Sequence, residues 1–88
     1  MRTVRFTSRF KKDVKRMKRR GCDEALLQKV IQQLAHDQPL AVKHRDHALA
    51  GNYAGTRECH IQPDWLLIYR LLDDQLLLVR TGTHADLF

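Results

Sequence analysis

Hydrophobic residues change their spacing about two-fifths of the way along the chain, from a helical to a strand-like pattern. Near the N-terminus, Val4 and Phe6 alternate with polar residues, which predicts a short opening strand. Phe10, Val14 and Met17 follow at i, i+4 and i+7, the spacing of a narrow apolar stripe on one helix face. Basic residues fill most of the remaining circumference, so the pattern predicts a strongly basic first helix.

Two helices are expected in succession. We expect Ser8 to cap the first, because its hydroxyl can accept hydrogen bonds from free backbone donors of the first turn, and Gly21 to end it. The second should begin near Asp23 and end before Pro39. Its wider apolar face consists of Leu26, Leu27, Val30, Ile31 and Leu34. The short connection between them favours an αα-hairpin.

Strand-like segments occupy most of the second half of the chain. They cover Thr56–Ile61, Leu66–Leu72 and Gln75–Thr83, with turns at Pro63-Asp64 and Asp73-Asp74. Short connections require antiparallel neighbours, since parallel strands need long crossovers. The second segment is apolar on both faces and is expected at the centre of the sheet. The predicted fold class is α+β, with two N-terminal helices packed on a small antiparallel β-sheet.

Length and charge limit the functions that such a fold can have. With 88 residues, we expect one domain over residues 1–88, too small for a two-domain enzyme or for enclosing a large dinucleotide cofactor. The net charge of +6 is unevenly distributed: residues 2–20 carry ten basic side chains and one acid, Asp13, whereas residues 21–88 are net negative. A basic surface concentrated in one element indicates a nucleic acid, an anionic membrane or an acidic protein as partner.

From the cysteine and hydropathy patterns of the sequence, we expect the protein to be cytoplasmic. Cys22 and Cys59 are too few and too far apart for a disulfide scaffold or a paired-cysteine metal site, so both are expected to be free thiols. The sequence has neither a run of about 18 apolar residues nor the apolar core of a signal peptide. We therefore expect no membrane association.

Histidines are the first candidates for chemistry. Four of them, His44, His47, His60 and His84, lie in or beside the strand half, and His36, at the end of the second helix, is given no role. With an unperturbed pKa of about 6.5, histidine can transfer protons at neutral pH. A group of histidines in one half of the fold therefore favours an acid–base site.

The last strand suggests what this site acts on. Arg80, Gly82 and His84 have the same parity, and if the strand is regular they share a face, with open space at the glycine where a ligand can approach. Cleavage of a phosphodiester by a 2′-hydroxyl needs a base, an acid and a cation for the phosphate. Arginine suits the last role, because its planar donors match phosphate oxygens.

Other interpretations remain open at this stage. Asp64 can be an ordinary turn residue, and Trp65, at the start of an apolar strand, can belong to the core instead of stacking on a base. His44, His47 and His60 can form a zinc site, although no cysteine pair or dense ligand pattern favours one. Spacing alone does not decide between these alternatives.

Three segments together resemble a known family. Residues 46–51, 57–69 and 80–88 carry the patterns DHxLxG, HxxPDWxLIY and RTGTHxxLF, and are similar to the YafQ branch of the RelE-like toxins of bacterial type II toxin–antitoxin systems. The resemblance covers the whole chain in length and element order. It implies a microbial-ribonuclease fold, ribosome-dependent endonucleolytic cleavage of mRNA, and neutralisation by a cognate acidic antitoxin. It further implies operator DNA binding only through the antitoxin complex, and neither a metal nor another cofactor.

The resemblance also implies a set of site residues. The positions that match the family's motif are His47, His60, Asp64, Arg80, His84 and Phe88. Among these, His84 is expected to be the general acid, and either His47 or Asp64 the general base.

The remaining motif residues are given supporting roles. Arg80 would hold the scissile phosphate, His60 would orient a neighbour or contact phosphate, and Phe88 would position a base. Because the chain stops at Phe88, its terminal carboxylate is expected beside the site, so a C-terminal tag should impair cleavage more than an N-terminal one.

Ribosome and RNA binding are assigned to the basic first helix and to one aromatic residue. The residues expected in this role are Lys11, Lys12, Lys15, Arg16, Lys18, Arg19, Arg20 and Trp65. An alternative from a different class is a non-catalytic protein that blocks translation by occupying the ribosome through such phosphate contacts. A DNA-binding regulator is less favoured, because the second helix has few groups suited to base edges.

Overall fold

The computed structural model describes residues 1–88, the whole chain, as a five-stranded sheet with helices on its surfaces. The strands are β1 (Thr3–Phe6), β2 (His47–Ala48), β3 (Arg57–Gln62), β4 (Trp65–Leu71) and β5 (Gln75–Gly82). The helices are α1 (Ser8–Arg19), α2 (Glu24–Ala35) and α3 (His84–Leu87), with two short 3₁₀ turns at Val42–His44 and Gly51–Tyr53. No helix is long and apolar enough to cross a membrane.

The sheet has the strand order β1-β5-β4-β3-β2, which confirms the α+β class and the central position of β4. Strands β2 to β5 pair antiparallel. The opening strand β1 instead pairs parallel with β5, from Thr3 opposite Gln75 to Phe6 opposite Leu78. A parallel neighbour is possible here because residues 7–74, with both long helices, provide the long crossover. The sheet is therefore mixed, with one parallel edge strand.

Helix boundaries differ from the sequence prediction at the first N-cap. Thr7, not Ser8, caps α1: its backbone is extended, and its hydroxyl accepts from the Phe10 backbone N–H at 3.0 Å. Ser8 is already the first helical residue. The same Thr7 hydroxyl donates to the Val79 carbonyl at 2.7 Å, so the cap also fastens α1 to β5. The predicted Asp23 cap of α2 is confirmed by its bond from the Ala25 N–H.

Hydrophobic side chains fill both faces of the central strand. The main cluster lies between α1, α2 and one face of the sheet, and includes Leu27, Trp65 and Tyr69. A smaller cluster on the other face joins Leu66 and Ile68 to Leu87 of α3. The predicted double coverage of β4 is therefore confirmed, and it fixes α3 to the face opposite the long helices.

A bulge in β5 changes which residues face each layer. Across the β4–β5 ladder, Tyr69 pairs with Leu78 and Ile68 with Arg80, so Val79 is the extra residue. Leu78 belongs to the main cluster, whereas Ile68 belongs to the smaller one. The bulge therefore brings Arg80 into register with the sheet face that carries α3.

Candidate active site

His84 and Asp64 form the most exposed pair of the site. Nδ1 of His84 lies 2.6 Å from Oδ1 of Asp64, and the His84 backbone N–H donates to the same oxygen at 3.0 Å. These two bonds lower the pKa of Asp64 below its usual value, the backbone bond first. An ionised carboxylate can only accept, so Nδ1 carries a proton and Nε2 is the nitrogen left for a substrate. The His84 side chain is 54% exposed.

The start of α3 sets the position of His84. Thr83 is the N-cap, and it forms a capping box with Asp86, in which each side chain accepts a bond from the other's backbone N–H. His84 is therefore the first helical residue, beyond the end of β5. The condition of a regular strand, on which Arg80, Gly82 and His84 would share a face, is not met, because β5 ends at Gly82 and the chain turns at Thr83.

His60 lies beside His84 but is much less accessible. Their ring centroids are 5.6 Å apart in an edge-to-face arrangement. Nε2 of His60 lies 3.3 Å from Oε1 of Glu58, and the His60 side chain is only 12% exposed. Glu58 is itself buried. The sequence prediction missed Glu58, although its i, i+2 spacing to His60 on β3 places both on one face of that strand.

His47 approaches the same glutamate from β2. It pairs with Glu58 across the β2–β3 ladder, and its Nε2 lies 4.0 Å from Oε1 of Glu58. Its Nδ1 lies 2.6 Å from the Arg45 carbonyl, which can only accept, so Nε2 is again the free nitrogen. The loop before it is fixed because Asp46 accepts from the Tyr69 hydroxyl, and burial raises the pKa of Tyr69.

Arg80 is held by a buried carboxylate from α1. Its Nε and Nη2 donate to the two oxygens of Asp13 at 2.7 and 3.1 Å, which raises the pKa of Arg80. Asp13 also accepts from Arg16 and from the Thr81 backbone N–H. Only 11% of the Arg80 side chain is exposed. The arginine that the sequence assigns to the phosphate therefore has two of its donors committed, which leaves Nη1.

Ion pairs also engage part of the basic helix. Arg20 donates to both oxygens of Asp86, at 2.6 and 3.1 Å, and thereby holds the pKa of Asp86 far below its usual value. Arg16 joins Asp13, and Lys18 pairs with Glu24 at 2.7 Å. The predicted ribosome contact through the guanidinium groups of Arg16 and Arg20 needs correction, because both groups pair with Asp86 of α3 and Arg16 also pairs with Asp13 of α1.

Four residues of the predicted basic surface have no acidic partner. Lys11, Lys12, Lys15 and Arg19 are all exposed on α1, and none of the ion pairs of the chain involves them. The Lys11 ammonium lies 5.1 Å from the centre of the Phe6 ring.

Trp65 and Gly82 do not have the roles that their sequence positions suggested. Trp65 is only 3% exposed, and its indole N–H donates to the Thr81 hydroxyl at 2.9 Å. It belongs to the core, so its assignment as an RNA-stacking residue was wrong. A Cβ at Gly82 would lie 3.0 Å from Asp86, so the space there is filled by the protein's own carboxylate and is not open to a ligand.

Phe88 forms an exposed aromatic edge one turn after His84. Its backbone N–H donates to the His84 carbonyl at 2.9 Å, and its side chain remains largely exposed. The ring packs edge-on against Tyr53, at 5.5 Å between centroids, and the Tyr53 hydroxyl donates to the Leu87 carbonyl. No pattern in the sequence pointed to Tyr53, because a 3₁₀ turn brings it there.

Three of these side chains could hold a metal ion. Glu58, His60 and His84 each offer a ligand atom, and these atoms all lie within 4.8 Å of one another. Imidazole and carboxylate groups suit zinc and copper. Only His60 is shared with the zinc site considered from the sequence, since Nδ1 of His44 is bonded to the His60 carbonyl and His47 is not part of this group of three.

Comparisons with known proteins agree with this fold along the whole chain. The chain is 40% identical to the mRNA interferase toxin YafQ of Escherichia coli K12, over 99% of this chain and 96% of that protein. A metal-bound toxin from Helicobacter pylori has a TM-score of 0.93 and 44% identity, and each chain covers 100% of the other. YafQ in the E. coli DinJ–YafQ complex has a TM-score of 0.92 and 39% identity, covering 100% of this chain and 99% of that one.

A family model assigns the chain directly. The model for the bacterial toxin YafQ of type II toxin–antitoxin systems matches residues 2–88. The match includes every side chain of the histidine cluster described above. The chain therefore belongs to the YafQ family of type II toxin–antitoxin toxins.

Proposed function

We propose that the protein is the toxin of a type II toxin–antitoxin system and acts in the cytoplasm as an endoribonuclease on mRNA bound to the ribosome. Membership of the YafQ family and 40% identity to an mRNA interferase toxin support this proposal. The observation that carries the chemistry is His84, whose Nδ1 is bonded to an ionised Asp64 and whose Nε2 is free. Such a histidine can give a proton to, or take one from, an RNA oxygen.

The reaction requires no nucleophile from the protein. A base removes the proton of an RNA 2′-hydroxyl, whose oxygen then attacks the adjacent phosphorus. The bond to the 5′ oxygen breaks, and this oxygen leaves with a proton from the acid. The products are a 2′,3′-cyclic phosphate and a 5′-hydroxyl. Each proton transfer needs a group with an accessible, suitably protonated atom.

We assign the acid to His84 and the base to His47. Both histidines have Nδ1 bonded to an oxygen acceptor and a half-exposed side chain with Nε2 free. Asp64 is the weaker candidate for the base, because its lowered pKa makes it less basic and its Oδ1 already accepts two bonds from His84. His60, which is partly buried, and Glu58, which is buried, position the neighbouring histidines.

Arg80 supplies charge for the phosphate in this assignment. Its pairing with Asp13 fixes the guanidinium plane, and its remaining Nη1 provides the donor for a phosphate oxygen. The exposed Phe88 ring, packed on Tyr53, provides an apolar face for a base of the substrate.

The proposed cleavage is independent of metal ions. The 2′-hydroxyl, two histidines and an arginine suffice for the proton transfers and the charge. A metal ion bound by Glu58, His60 and His84 would occupy nitrogens of this site. We therefore expect added zinc or copper to inhibit cleavage, and a chelator that binds these metals but spares the Mg²⁺ of the ribosome to leave it unchanged or increase it.

Neutralisation by a cognate acidic antitoxin fits the charge of the molecule. The E. coli relative is solved as the DinJ–YafQ complex. The exposed lysines of α1 offer a complementary surface for an acidic chain. Operator DNA binding is proposed for the antitoxin complex and not for this chain alone.

The test is cleavage of a defined mRNA on purified, programmed ribosomes, with zinc and copper removed by a chelator that leaves the Mg²⁺ of the ribosome in place. Primer extension should show new 5′ ends, and end-group analysis should show a 2′,3′-cyclic phosphate. Arrest of translation with intact mRNA would instead favour the occupancy mechanism, in which the basic surface blocks the ribosome without chemistry.

A further inference from the structure

An open cavity of about 680 Å³ adjoins His60 and His84, and neither Asp13 nor Arg80 lines it. It lies between the start of α2, the 3₁₀ turn at Val42–His44 and the turn joining β3 to β4. His60 and His84 form one wall, and Lys43, His44 and Arg45 another. The cavity therefore continues directly from the atoms proposed to perform the chemistry.

The cavity carries unopposed positive charge. Lys43 and Arg45 are exposed, neither belongs to an ion pair, and no acidic residue lines the cavity. This differs from α1, where several cations are neutralised by the protein's own acids. An anionic ligand would meet two free cations here.

The loop that carries Lys43 and Arg45 is fixed to strands β2 and β3. Nδ1 of His44 lies 2.6 Å from the His60 carbonyl, and Nδ1 of His47 lies 2.6 Å from the Arg45 carbonyl. Arg45 has a left-handed backbone conformation (φ 47°), which is uncommon for a residue other than glycine and is found at sites where the surroundings impose it. The two bonds tie the position of Lys43 and Arg45 to that of the histidines.

We propose that this cavity binds the mRNA nucleotide that adjoins the scissile phosphate, with Lys43 and Arg45 contacting its phosphate. This inference rests on the proposed ribonuclease function. Because His84 and His60 line the cavity, a scissile phosphate held at His84 has this cavity directly beside it as the space for an adjoining nucleotide. Pro63 and Leu26 provide apolar surface for the base, and the volume is within the range of small-ligand sites.

The test compares Lys43→Ala/Arg45→Ala with the control Lys29→Ala/Arg70→Ala, which removes the same charge from exposed positions outside the cavity. The probe is an mRNA on programmed ribosomes that carries 2′-O-methyl groups at the cleavage site and cannot be cut. We expect the Kd of the cavity variant to rise about tenfold, since one or two charge-assisted contacts are lost. The salt dependence of log K should weaken by about 0.7 for each lost phosphate contact.

Further measurements distinguish binding in the cavity from the proposed ribonuclease activity. On cleavable mRNA, the cavity variant should show a raised KM with kcat unchanged, and Lys43→Arg/Arg45→Lys should recover binding. A Kd and a salt slope equal to those of the control variant would overturn the proposal. A second probe, an oligoglutamate peptide, represents an acidic protein: a cavity variant that no longer binds this peptide but still binds mRNA would also overturn the proposal. If the wild type binds but does not cut, the ribonuclease proposal fails, and the Kd comparison still decides whether the cavity binds mRNA.

Discussion

Asp13 is the single acid among the ten basic residues of positions 2–20, and its burial explains why it stands there. Strand β1 pairs with β5 only as far as Leu78, so the Thr81 N–H, further along the same edge, has no partner in that strand. The Asp13 carboxylate accepts from this N–H and from Arg80. One side chain thus satisfies a strand edge and orients the arginine of the proposed site.

Replacing Asp13 should therefore reduce stability strongly. Asp13→Ala is expected to lower the free energy of unfolding by about 3 kcal/mol, because it leaves the largely buried Arg80 guanidinium without its partner. Urea unfolding followed by circular dichroism measures this. The control is Asp73→Ala, in an exposed turn outside any ion pair. The pairing would be contradicted if Asp13→Ala and Asp73→Ala had the same free energy of unfolding. It would also be contradicted if the loss of free energy in Asp13→Ala/Arg80→Ala equalled the sum of the losses in the two single variants.

Asp64 is predicted to act through His84. Asp64→Asn should lower cleavage between about 10- and 10⁴-fold, because an amide can donate or accept and no longer fixes the proton on Nδ1 of His84. Since the pKa of Asp64 lies below its usual value, the carboxylate stays ionised from pH 5 to 8. Because Asp64 is not protonated in this range, the ratio of the wild-type cleavage rate to the Asp64→Asn rate should not fall as the pH is lowered to 5. Asp73→Asn is the matched control.

At the scale of elements, a single helical turn carries the central histidine. Helix α3 has four residues, too few for stability on its own, and it is held by the Thr83 capping box and by the Arg20–Asp86 ion pair with the C-terminal end of α1. The basic helix therefore also fixes the position of His84. Arg20, at the end of this helix, therefore has a structural role, whereas the basic residues of the helix without an acidic partner remain free to bind an anionic ligand.

The Arg20–Asp86 pair should make folding sensitive to acid. The pKa of Asp86 in the folded protein lies below its unfolded value of 3.8, so its stabilising contribution is full above that value and is lost as the pH falls below it. The thermal midpoint of Asp86→Asn should be lower than that of the wild type at pH 7, and the difference should shrink between pH 5 and pH 2. A constant difference over this range would contradict the prediction; Asp73→Asn serves as control.

Element boundaries show what could be predicted from the sequence. The two helices and β3, β4 and β5 follow from apolar spacing, because a buried face requires it. Strand β2 has only two residues and no alternation, so no pattern indicates it. The Thr7 cap was missed because Thr7 and Ser8 are both suitable hydroxyl residues, and only the backbone conformation distinguishes them.

The same distinction, between local patterns and contacts made by distant parts of the chain, applies to the candidate site. The family motif contains His47, His60 and His84, which the fold links through Glu58. Burial of Trp65 and the pairing of Asp13 with Arg80 depend on contacts between distant parts of the chain. Such contacts follow from the packing of α1 and the bulge in β5, which local patterns do not encode.

At the scale of the whole molecule, less of the positive charge is free than the sequence suggests. Residues 2–20 carry a large excess of positive charge, but Asp13, Asp86 and Glu24 engage Arg16, Arg20 and Lys18. The unpaired cations on α1 are Arg9, Lys11, Lys12, Lys15 and Arg19. The surface available to a ribosome or an antitoxin is therefore a narrower face of the helix.

This surface should govern binding without affecting the chemical step. Lys12→Glu/Lys15→Glu should weaken binding to ribosomes, with the largest effect at low salt, because fewer phosphates are neutralised. Lys29→Glu/Arg70→Glu is the control with the same charge change. Filter binding over a salt series measures both, and single-turnover cleavage at saturating protein should stay at the wild-type rate. Equal ribosome affinity of the two variants would remove α1 from the binding surface.

The most direct test of the account is cleavage of a defined mRNA on programmed ribosomes by His84→Ala beside the wild type, with His36→Ala as control. We expect wild type and His36→Ala to cut the mRNA after zinc and copper are removed with Mg²⁺ kept for the ribosome, whereas His84→Ala binds the ribosome, keeps its circular dichroism spectrum and cuts between about 10²- and 10⁴-fold more slowly. A folded His84→Ala protein that cuts at the wild-type rate would contradict the acid–base site built on His84 and Asp64.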